Sequence, residues 1–160
     1  ITQHMPAPFT GILAEHIAKV AGRPSREAGD GQAVEAGHIY VAPGDFHMTV
    51  IAGASAPIIR LTREPPVNFC RPSVDPMLES MSKVYGQRLL AVILTGMGHD
   101  GLDGGRATVA AGGTVLAQDE ASSVVWGMPG AVATDGLYSA VLPLDSIAAH
   151  VRKIAGRSAA

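Results

Sequence analysis

The spacing of apolar residues along the chain predicts three helices. Apolar side chains recur every three or four positions over 9–20, over 74–84 and from 145 onward, which is the pattern of a helix with one buried face. Ser73 and Asp145 are predicted N-caps of the second and third helices, because a short side-chain oxygen accepts a hydrogen bond from a free backbone N–H there. The apolar stripe of the first helix comprises Phe9, Ile12, Leu13, Ile17 and Val20.

Short apolar runs predict strands between and after these helices. The runs at 48–51 and 58–62 flank a turn of Gly, Ser and Pro, so they predict an antiparallel hairpin. The continuous apolar run at 89–94 is typical of a strand buried on both faces. Helix and strand alternate from there onward, which favours parallel βαβ units. The other predicted elements are strands at 39–42, 114–117 and 138–142, a helix near 106–111 and a short helix within 118–133.

The first residues have the pattern of a strand end. Ile1 is apolar and is followed directly by Thr2-Gln3-His4, so we expect the beginning of this strand to lie before residue 1. No internal repeat or linker divides the sequence. Residues 1–160 are therefore predicted to form one α/β domain with an antiparallel insertion.

Composition supports a packed domain and excludes several classes of function. The chain has 160 residues, of which 47% are hydrophobic and 16% charged, as expected for a globular core. A net charge of −2 without a long basic run argues against nucleic-acid binding. The apolar runs are too short to insert into a membrane. Cys70 is the single cysteine and cannot form an internal disulfide, which suits the cytoplasm.

Two polar residues follow predicted strands and could act together. His4 follows the truncated first strand, and Asp100 lies in the glycine-rich turn after 89–94. If these strands are parallel neighbours, both side chains lie at the carboxyl edge of the sheet, where ligands bind in open α/β folds. A carboxylate that accepts a hydrogen bond from an imidazole fixes its tautomer, and the imidazole then activates a hydroxyl or thiol nucleophile. A structural histidine is the simpler alternative.

Other site types are weaker on the sequence. Gly96, Gly98 and Gly101 spell G-x-G-x-x-G between a strand and a helix, the form of a dinucleotide-binding turn. Asp100 would place a carboxylate where a pyrophosphate sits, and the glycines also suit a simple tight turn. The chain lacks zinc-type histidine or cysteine spacing, and Cys70 has no neighbouring base, so neither a metal nor another cofactor is expected.

Longer strings carry a more specific signal. In chain order they are Gln3-His4-Met5-Pro6, Ala42-Pro43-Gly44-Asp45, Pro65-Pro66-Val67-Asn68, Arg71-Pro72-Ser73-Val74-Asp75, Thr95-Gly96-Met97-Gly98 with Asp100-Gly101, Gln118-Asp119-Glu120-Ala121-Ser122 and Gly127-Met128-Pro129. Together they resemble the catalytic domain of the chemotaxis protein-glutamate methylesterases. The resemblance covers nearly the whole chain.

The resemblance implies a fold, a reaction and site residues. The fold would be a three-layer α/β/α sandwich with a Rossmann-like, mostly parallel sheet. The enzymes hydrolyse glutamate γ-methyl esters, and deamidate certain glutamines, on methyl-accepting chemotaxis receptors in the cytoplasm. Their triad is serine, histidine and aspartate in chain order. The histidine corresponds to His4 and the aspartate to Asp100, and Met97 would donate its backbone N–H to the oxyanion.

The departure from this pattern is the serine. The family's nucleophile lies on a glycine-rich turn after a strand that precedes the one ending at His4, and a receiver domain usually comes before it. Ser55 imitates such a turn but lies between the predicted hairpin strands. We therefore expect the chain alone to be inactive and to expose an unpaired sheet edge that favours association. The alternatives are a non-catalytic receptor-docking module and a dinucleotide-binding module that uses the turn from Gly96 to Gly101.

Overall fold

The computed structural model describes residues 1–157 as five α-helices, seven strands and one short 3-10 helix. The helices are α1 (Ala7–Ala21), α2 (Val74–Tyr85), α3 (Leu102–Ala110), α4 (Met128–Thr134) and α5 (Leu144–Arg157), and the 3-10 helix is Gly86–Arg88. The strands are β1 (Ser25–Glu27), β2 (Ile39–Val41), β3 (His47–Ile51), β4 (Ile58–Thr62), β5 (Leu90–Ile93), β6 (Thr114–Gln118) and β7 (Ala140–Leu142).

Most strand pairs are parallel, as predicted. The strands β5, β6 and β7 form a parallel sheet in that order, and β1 pairs with β2 in parallel. The strands β3 and β4 form the predicted antiparallel hairpin, with His47 opposite Thr62 and Ile51 opposite Ile58. The architecture is therefore α/β, with one antiparallel pair inserted between two parallel sections.

The amino-terminal residue adds one position to the β1–β2 section. The Ile1 amine donates to Tyr40 O at 2.6 Å, and Ala42 N donates to Ile1 O at 2.8 Å. This is the hydrogen-bond pattern of parallel strands, so Ile1 pairs with the edge of β2 opposite β1, in line with the expected strand end.

A groove separates this section from the β5–β6–β7 sheet. It has a volume of about 450 Å³, and it is lined on one side by residues 1–4 and on the other by residues 89–95. Within the described residues, β5 pairs only with β6, so its second edge faces the groove. The groove thus separates the two parallel sections of the structure.

The helix α2 connects the two sections through their cores. One buried cluster surrounds β5 and β6 and includes Leu78 of α2, whereas the other surrounds β2 and the hairpin. Met77, also on α2, packs against both clusters. The helix therefore sets the distance between the strand end at residue 1 and the turn after β5.

The structure differs from the sequence predictions at four elements. The helix α5 begins at Leu144, so Asp145 lies in its first turn and not at the predicted N-cap. The strand β1 was not predicted, because Ser25–Glu27 has no apolar pattern and is held by backbone pairing with β2. The helix α3 begins at Leu102, not near 106, because the Asp75 carboxylate accepts N–H groups at its start. The helix α1 has the predicted extent, but it buries Thr10 and Ala14 and leaves Phe9, Ile12 and Val20 exposed.

Candidate active site

His4 and Asp100 meet at the carboxyl ends of the two parallel sections. His4 lies three residues after Ile1, and Asp100 lies in the turn between β5 and α3. The distance from His4 Nε2 to Asp100 Oδ2 is 2.6 Å. The Asp100 side chain is 2% exposed and that of His4 is 26% exposed. The expected convergence of the two side chains is confirmed.

The contact determines which imidazole nitrogen is available for chemistry. A carboxylate only accepts hydrogen bonds, so Nε2 carries the proton that points at Asp100. In the neutral ring the lone pair then resides on Nδ1. The atom of His4 that can take a proton from a nucleophile is therefore Nδ1.

The Asp100 carboxylate is bound by the first residues of α2. Its Oδ1 accepts from Ser73 Oγ at 2.7 Å and from Asp75 N at 3.1 Å, and its Oδ2 accepts from Val74 N at 2.7 Å. Ser73 occupies the N-cap position, as predicted, but its side chain does not cap the helix. Asp100 accepts the free N–H groups instead, and a carboxylate is favoured at this positive end of a helix.

Hydrogen bonding keeps Asp100 ionised despite its burial. Burial alone raises the pKa of a carboxyl group, because it disfavours the charged form. Hydrogen bonds from His4, Ser73, Val74 and Asn68 outweigh burial here and hold the pKa of Asp100 well below its usual range. The site therefore presents a fixed negative charge to the imidazole.

A second buried carboxylate, Asp75, caps the other helix. Its Oδ1 accepts from Gly101 N at 2.9 Å and from Gly104 N at 2.7 Å, at the start of α3. Burial and the nearby charge of Asp100 raise the pKa of Asp75, although hydrogen bonds from Gly104, Asn68 and Gly101 oppose this. These N–H groups are those that a dinucleotide pyrophosphate would need, so their bonds to Asp75 argue against the dinucleotide-binding alternative.

Three hydrogen bonds fix the turn that carries Met97. Gly96 N donates to Val125 O at 3.0 Å, Met128 N donates to Gly96 O at 2.8 Å, and Thr95 N donates to the Gln118 side chain at 2.8 Å. A Cβ at Gly96 would overlap the Met128 sulfur, so any other residue here would force the Met128 side chain to move.

Met97 itself faces solvent at the tip of this turn. The residue is 82% exposed. Within residues 1–157 its backbone N–H donates to no acceptor. A fixed, free N–H in the same turn as Asp100 is what an oxyanion donor needs, and the assignment of this role to Met97 stays a prediction.

The remaining candidate nucleophiles do not contact His4. Ser73 is fully buried and bonded to Asp100, and Ser55 lies exposed in the β3–β4 turn. Burial, and after it the charge of Asp100, raises the pKa of the Cys70 thiol, which disfavours the reactive thiolate. Among residues 1–157, His4 forms no hydrogen bond with a serine.

Residues 1–157 contain neither a metal-type cluster of side chains nor a membrane-spanning helix. No three His, Cys, Asp or Glu side chains in this range lie close enough together to hold a metal ion. None of the five helices has the length and apolar character of a bilayer-crossing segment.

Comparison with known proteins identifies the family. The family model described as CheB methylesterase matches residues 1–151. The chain belongs to the CheB methylesterase family. It is 63% identical over 157 residues to protein-glutamate methylesterase/protein-glutamine glutaminase 1 of Paramagnetospirillum magneticum, covering 98% of this chain and 41% of that protein. It is 61% identical over 160 residues to the corresponding Azospirillum brasilense protein, covering 99% of this chain and 41% of the relative.

A solved structure supports the same assignment. The crystal structure of the Thermotoga maritima CheB methylesterase catalytic domain superposes with a TM-score of 0.93 at 38% identity, covering 96% of this chain and 81% of that one. The expected three-layer α/β fold is therefore confirmed. The chain spans about 41% of the length of the curated relatives.

Three residues that organise the CheB site were not singled out as site residues from the sequence. They are Asn68, Asp75 and Gln118, which contact Asp100 or the Met97 turn. Each lies in one of the family-like strings, which was the available signal. Their roles were hidden because hydrogen bonds between distant loops leave no periodic pattern in the sequence.

Proposed function

We propose that this chain supplies the histidine and aspartate of a serine hydrolase site that removes methyl groups from glutamate esters of proteins. The observation that carries the proposal is the 2.6 Å contact between His4 and the ionised, buried Asp100 at the carboxyl edge of a parallel sheet. Names of the relatives point to the same chemistry, and they add deamidation of glutamine.

His4 acts as the proton carrier in this proposal. Its Nδ1 takes the proton of the serine hydroxyl as the oxygen attacks the ester carbonyl, and it returns that proton to the departing methoxide, which leaves as methanol. Water then attacks the acyl-enzyme by the same route and releases the glutamate carboxylate. Asp100 holds the Nε2–H tautomer and stabilises the imidazolium without taking up a proton.

Met97 supplies the electrostatic part of catalysis. Charge develops on the carbonyl oxygen when the tetrahedral intermediate forms, and the free Met97 N–H would donate a hydrogen bond to it. The fixed turn supports this role because a donor that does not reorganise stabilises the transition state more, typically by about 3 kcal/mol.

The serine comes from a segment before residue 1 in this proposal. A parallel strand in the groove would pair with residue 1 on one side and with the free edge of β5 on the other. The turn after such a strand would lie at the same edge of the sheet as His4 and the Met97 turn, within reach of Nδ1. The groove volume of about 450 Å³ and its position support a strand as the occupant.

The substrate and regulator follow from the family resemblance. We propose methyl-accepting chemotaxis receptors as the substrate, in the cytoplasm, and an amino-terminal receiver domain as the regulator in the full-length protein. The His4 side chain is 26% exposed, so a side chain of another protein can reach its imidazole.

The decisive experiment compares this chain with a longer catalytic domain that includes the preceding segment. We expect methanol release from a methylated receptor by the longer domain and none by residues 1–160 alone. In the longer domain, His4→Gln and Asp100→Asn should each lower kcat by about 10⁴-fold, the scale seen for triad residues.

His99→Gln is the matched control, because His99 is the exposed neighbour of Asp100 and donates no side-chain bond to it. It should keep near-normal turnover. Full activity in the His4→Gln enzyme would show that another group is the general base and would contradict the proposal.

A further inference from the structure

Asn68 occupies a bridging position between the two buried carboxylates. Its single amide nitrogen, Nδ2, donates to Asp75 Oδ2 at 2.7 Å and to Asp100 Oδ1 at 3.1 Å. An amide NH₂ group has two hydrogens, so each carboxylate receives one. The amide oxygen could not take this place, because it would face two negative charges.

A tight turn places the Asn68 amide between the two carboxylates. Val67 and Cys70 exchange backbone hydrogen bonds of 3.1 and 2.9 Å, so Asn68 and Phe69 form a two-residue hairpin loop. Both loop residues have positive φ, 51° and 63°, which is the geometry of a type I′ turn. Asn tolerates this conformation, and its side chain points inward while that of Phe69 is fully exposed.

The two carboxylates need such a donor because their charges repel each other. Both side chains are almost fully buried, and burial, with a smaller contribution from the charge of Asp100, raises the pKa of Asp75. The helix starts bind each carboxylate from one side: α2 binds Asp100 and α3 binds Asp75. Among the described residues, Asn68 is the one group that donates to both, so it links the two carboxylates directly.

We propose that Asn68 is a positioning residue, which holds the Asp100 carboxylate in the orientation that fixes the His4 tautomer by donating one amide hydrogen to each buried aspartate. The proposal deepens the proposed function and rests on it for the importance of His4. The titratable groups around Asp100 are His4, Asp75 and Cys70, from three different parts of the chain.

The test is the tautomer of His4, measured by long-range ¹H–¹⁵N NMR in the longer catalytic domain at a pH where the ring is neutral. The unsubstituted domain should contain mainly the Nε2–H form. Asn68→Gly removes the amide and suits the positive φ, so the turn is kept. We expect the fraction of the Nδ1–H form to rise by roughly fivefold, the ratio that corresponds to the loss of one hydrogen bond.

Activity gives a second readout of the same variant. Because Asn68 does not touch the substrate in this proposal, Asn68→Gly should lower kcat by about tenfold and leave KM nearly unchanged. Phe69→Gly is the matched control for the tautomer, since it changes the same turn and keeps the amide. An unchanged tautomer in a folded Asn68→Gly domain would overturn the proposal, because α2 alone would then position Asp100.

A measurement without substitution covers the case in which Asn68→Gly fails to fold. The Asn68 side-chain amide hydrogens should exchange with solvent at least about tenfold more slowly than those of the exposed Gln87, since bonded hydrogens are protected. Equal exchange rates would show that the bridge is absent and would also overturn the proposal.

The two proposals fail in distinguishable ways. If the longer domain releases no methanol but the tautomer depends on Asn68, the proposed function is wrong and the positioning role stands. If methanol is released and the His4 tautomer does not depend on Asn68, the proposed function stands and the positioning role of Asn68 is wrong.

Discussion

Gly104 of α3 lies directly against Leu78 of α2. A Cβ at Gly104 would stand 2.7 Å from Leu78 Cβ and 3.2 Å from Asp75 Cα. Any side chain at position 104 would therefore push α2 and α3 apart. This close approach brings the starts of the two helices together. The exchange of caps between Asp75 and Asp100 depends on it.

The first prediction concerns this contact. Gly104→Ala should lower the free energy of unfolding by about 2 kcal/mol, because overpacking between two helices forces one of them to move. Gly156→Ala is the control, since Gly156 also lies in a helix but has nothing within 4 Å of the added methyl group. It should raise stability by up to about 1 kcal/mol. Urea denaturation of both variants measures the difference, and equal effects would contradict the close-packing account.

The second prediction concerns the strained turn at Asn68 and Phe69. Phe69 has φ of 63° although it is neither Gly nor Asn. Phe69→Gly should raise the free energy of unfolding by about 1 kcal/mol, since glycine adopts this conformation without a steric penalty. Phe69→Ala should not, because alanine keeps the Cβ that causes the penalty. Thermal unfolding of both variants distinguishes strain from loss of the ring.

The third prediction concerns acid stability. The pKa of Asp100 is lower in the folded state than in the unfolded chain, so the unfolded chain binds the proton first as the pH falls. The stability that this carboxylate contributes is fully present above its unfolded pKa of about 3.9 and is lost as the pH falls toward the folded value. The raised pKa of Asp75 acts in the opposite direction, so a variant is needed to isolate Asp100.

Asp100→Asn isolates this contribution. At neutral pH it should lose about 3 kcal/mol of stability, because an amide cannot accept all the hydrogen bonds that the carboxylate accepts. The gap between the variant and the unsubstituted chain should narrow as the pH falls from about 5 to about 3. Asp103→Asn, on an exposed aspartate of α3, serves as the control. A gap that is independent of pH would refute the charge-based explanation.

The fourth prediction concerns the free edge of β5. Residues 1–160 alone should associate in a concentration-dependent way, because an unpaired strand edge and the apolar groove beside it remain accessible. Leu94→Lys should reduce this association, whereas Val109→Lys should not. Both residues are 43% exposed, but only Leu94 lines the groove. Sedimentation at several concentrations tests this, and a monomer throughout would contradict it.

The sequence predicted the His4–Asp100 contact for a simple reason. Both residues lie in segments that follow strands, and parallel strands end at the same edge of a sheet, so the strand pattern allowed the contact. The resemblance carried by the longer strings then selected this pair over a structural histidine. The fold class was likewise readable from the alternation of helix and strand after residue 89.

The residues that organise this pair could not be derived in the same way. The type I′ turn is unusual because Phe follows Asn, whereas Asn-Gly is its common signature, so the sequence predicted no turn at these two residues. The exposed face of α1 was misjudged because periodicity identifies an apolar stripe but not which neighbours cover it. The start of α3 was placed too late because its glycines disfavour a helix locally, and the distant Asp75 stabilises it.

The two members of the site belong to different halves of the interrupted sheet. His4 is attached to the half that contains β2, and Asp100 to the half that contains β5. The length of their hydrogen bond therefore depends on the position of one half relative to the other. A ligand, regulatory domain or inserted strand that shifts one half by a single ångström would break the bond that orients the imidazole. Neither half needs to unfold for this to happen. Assembly alone can therefore switch catalytic competence in such a protein.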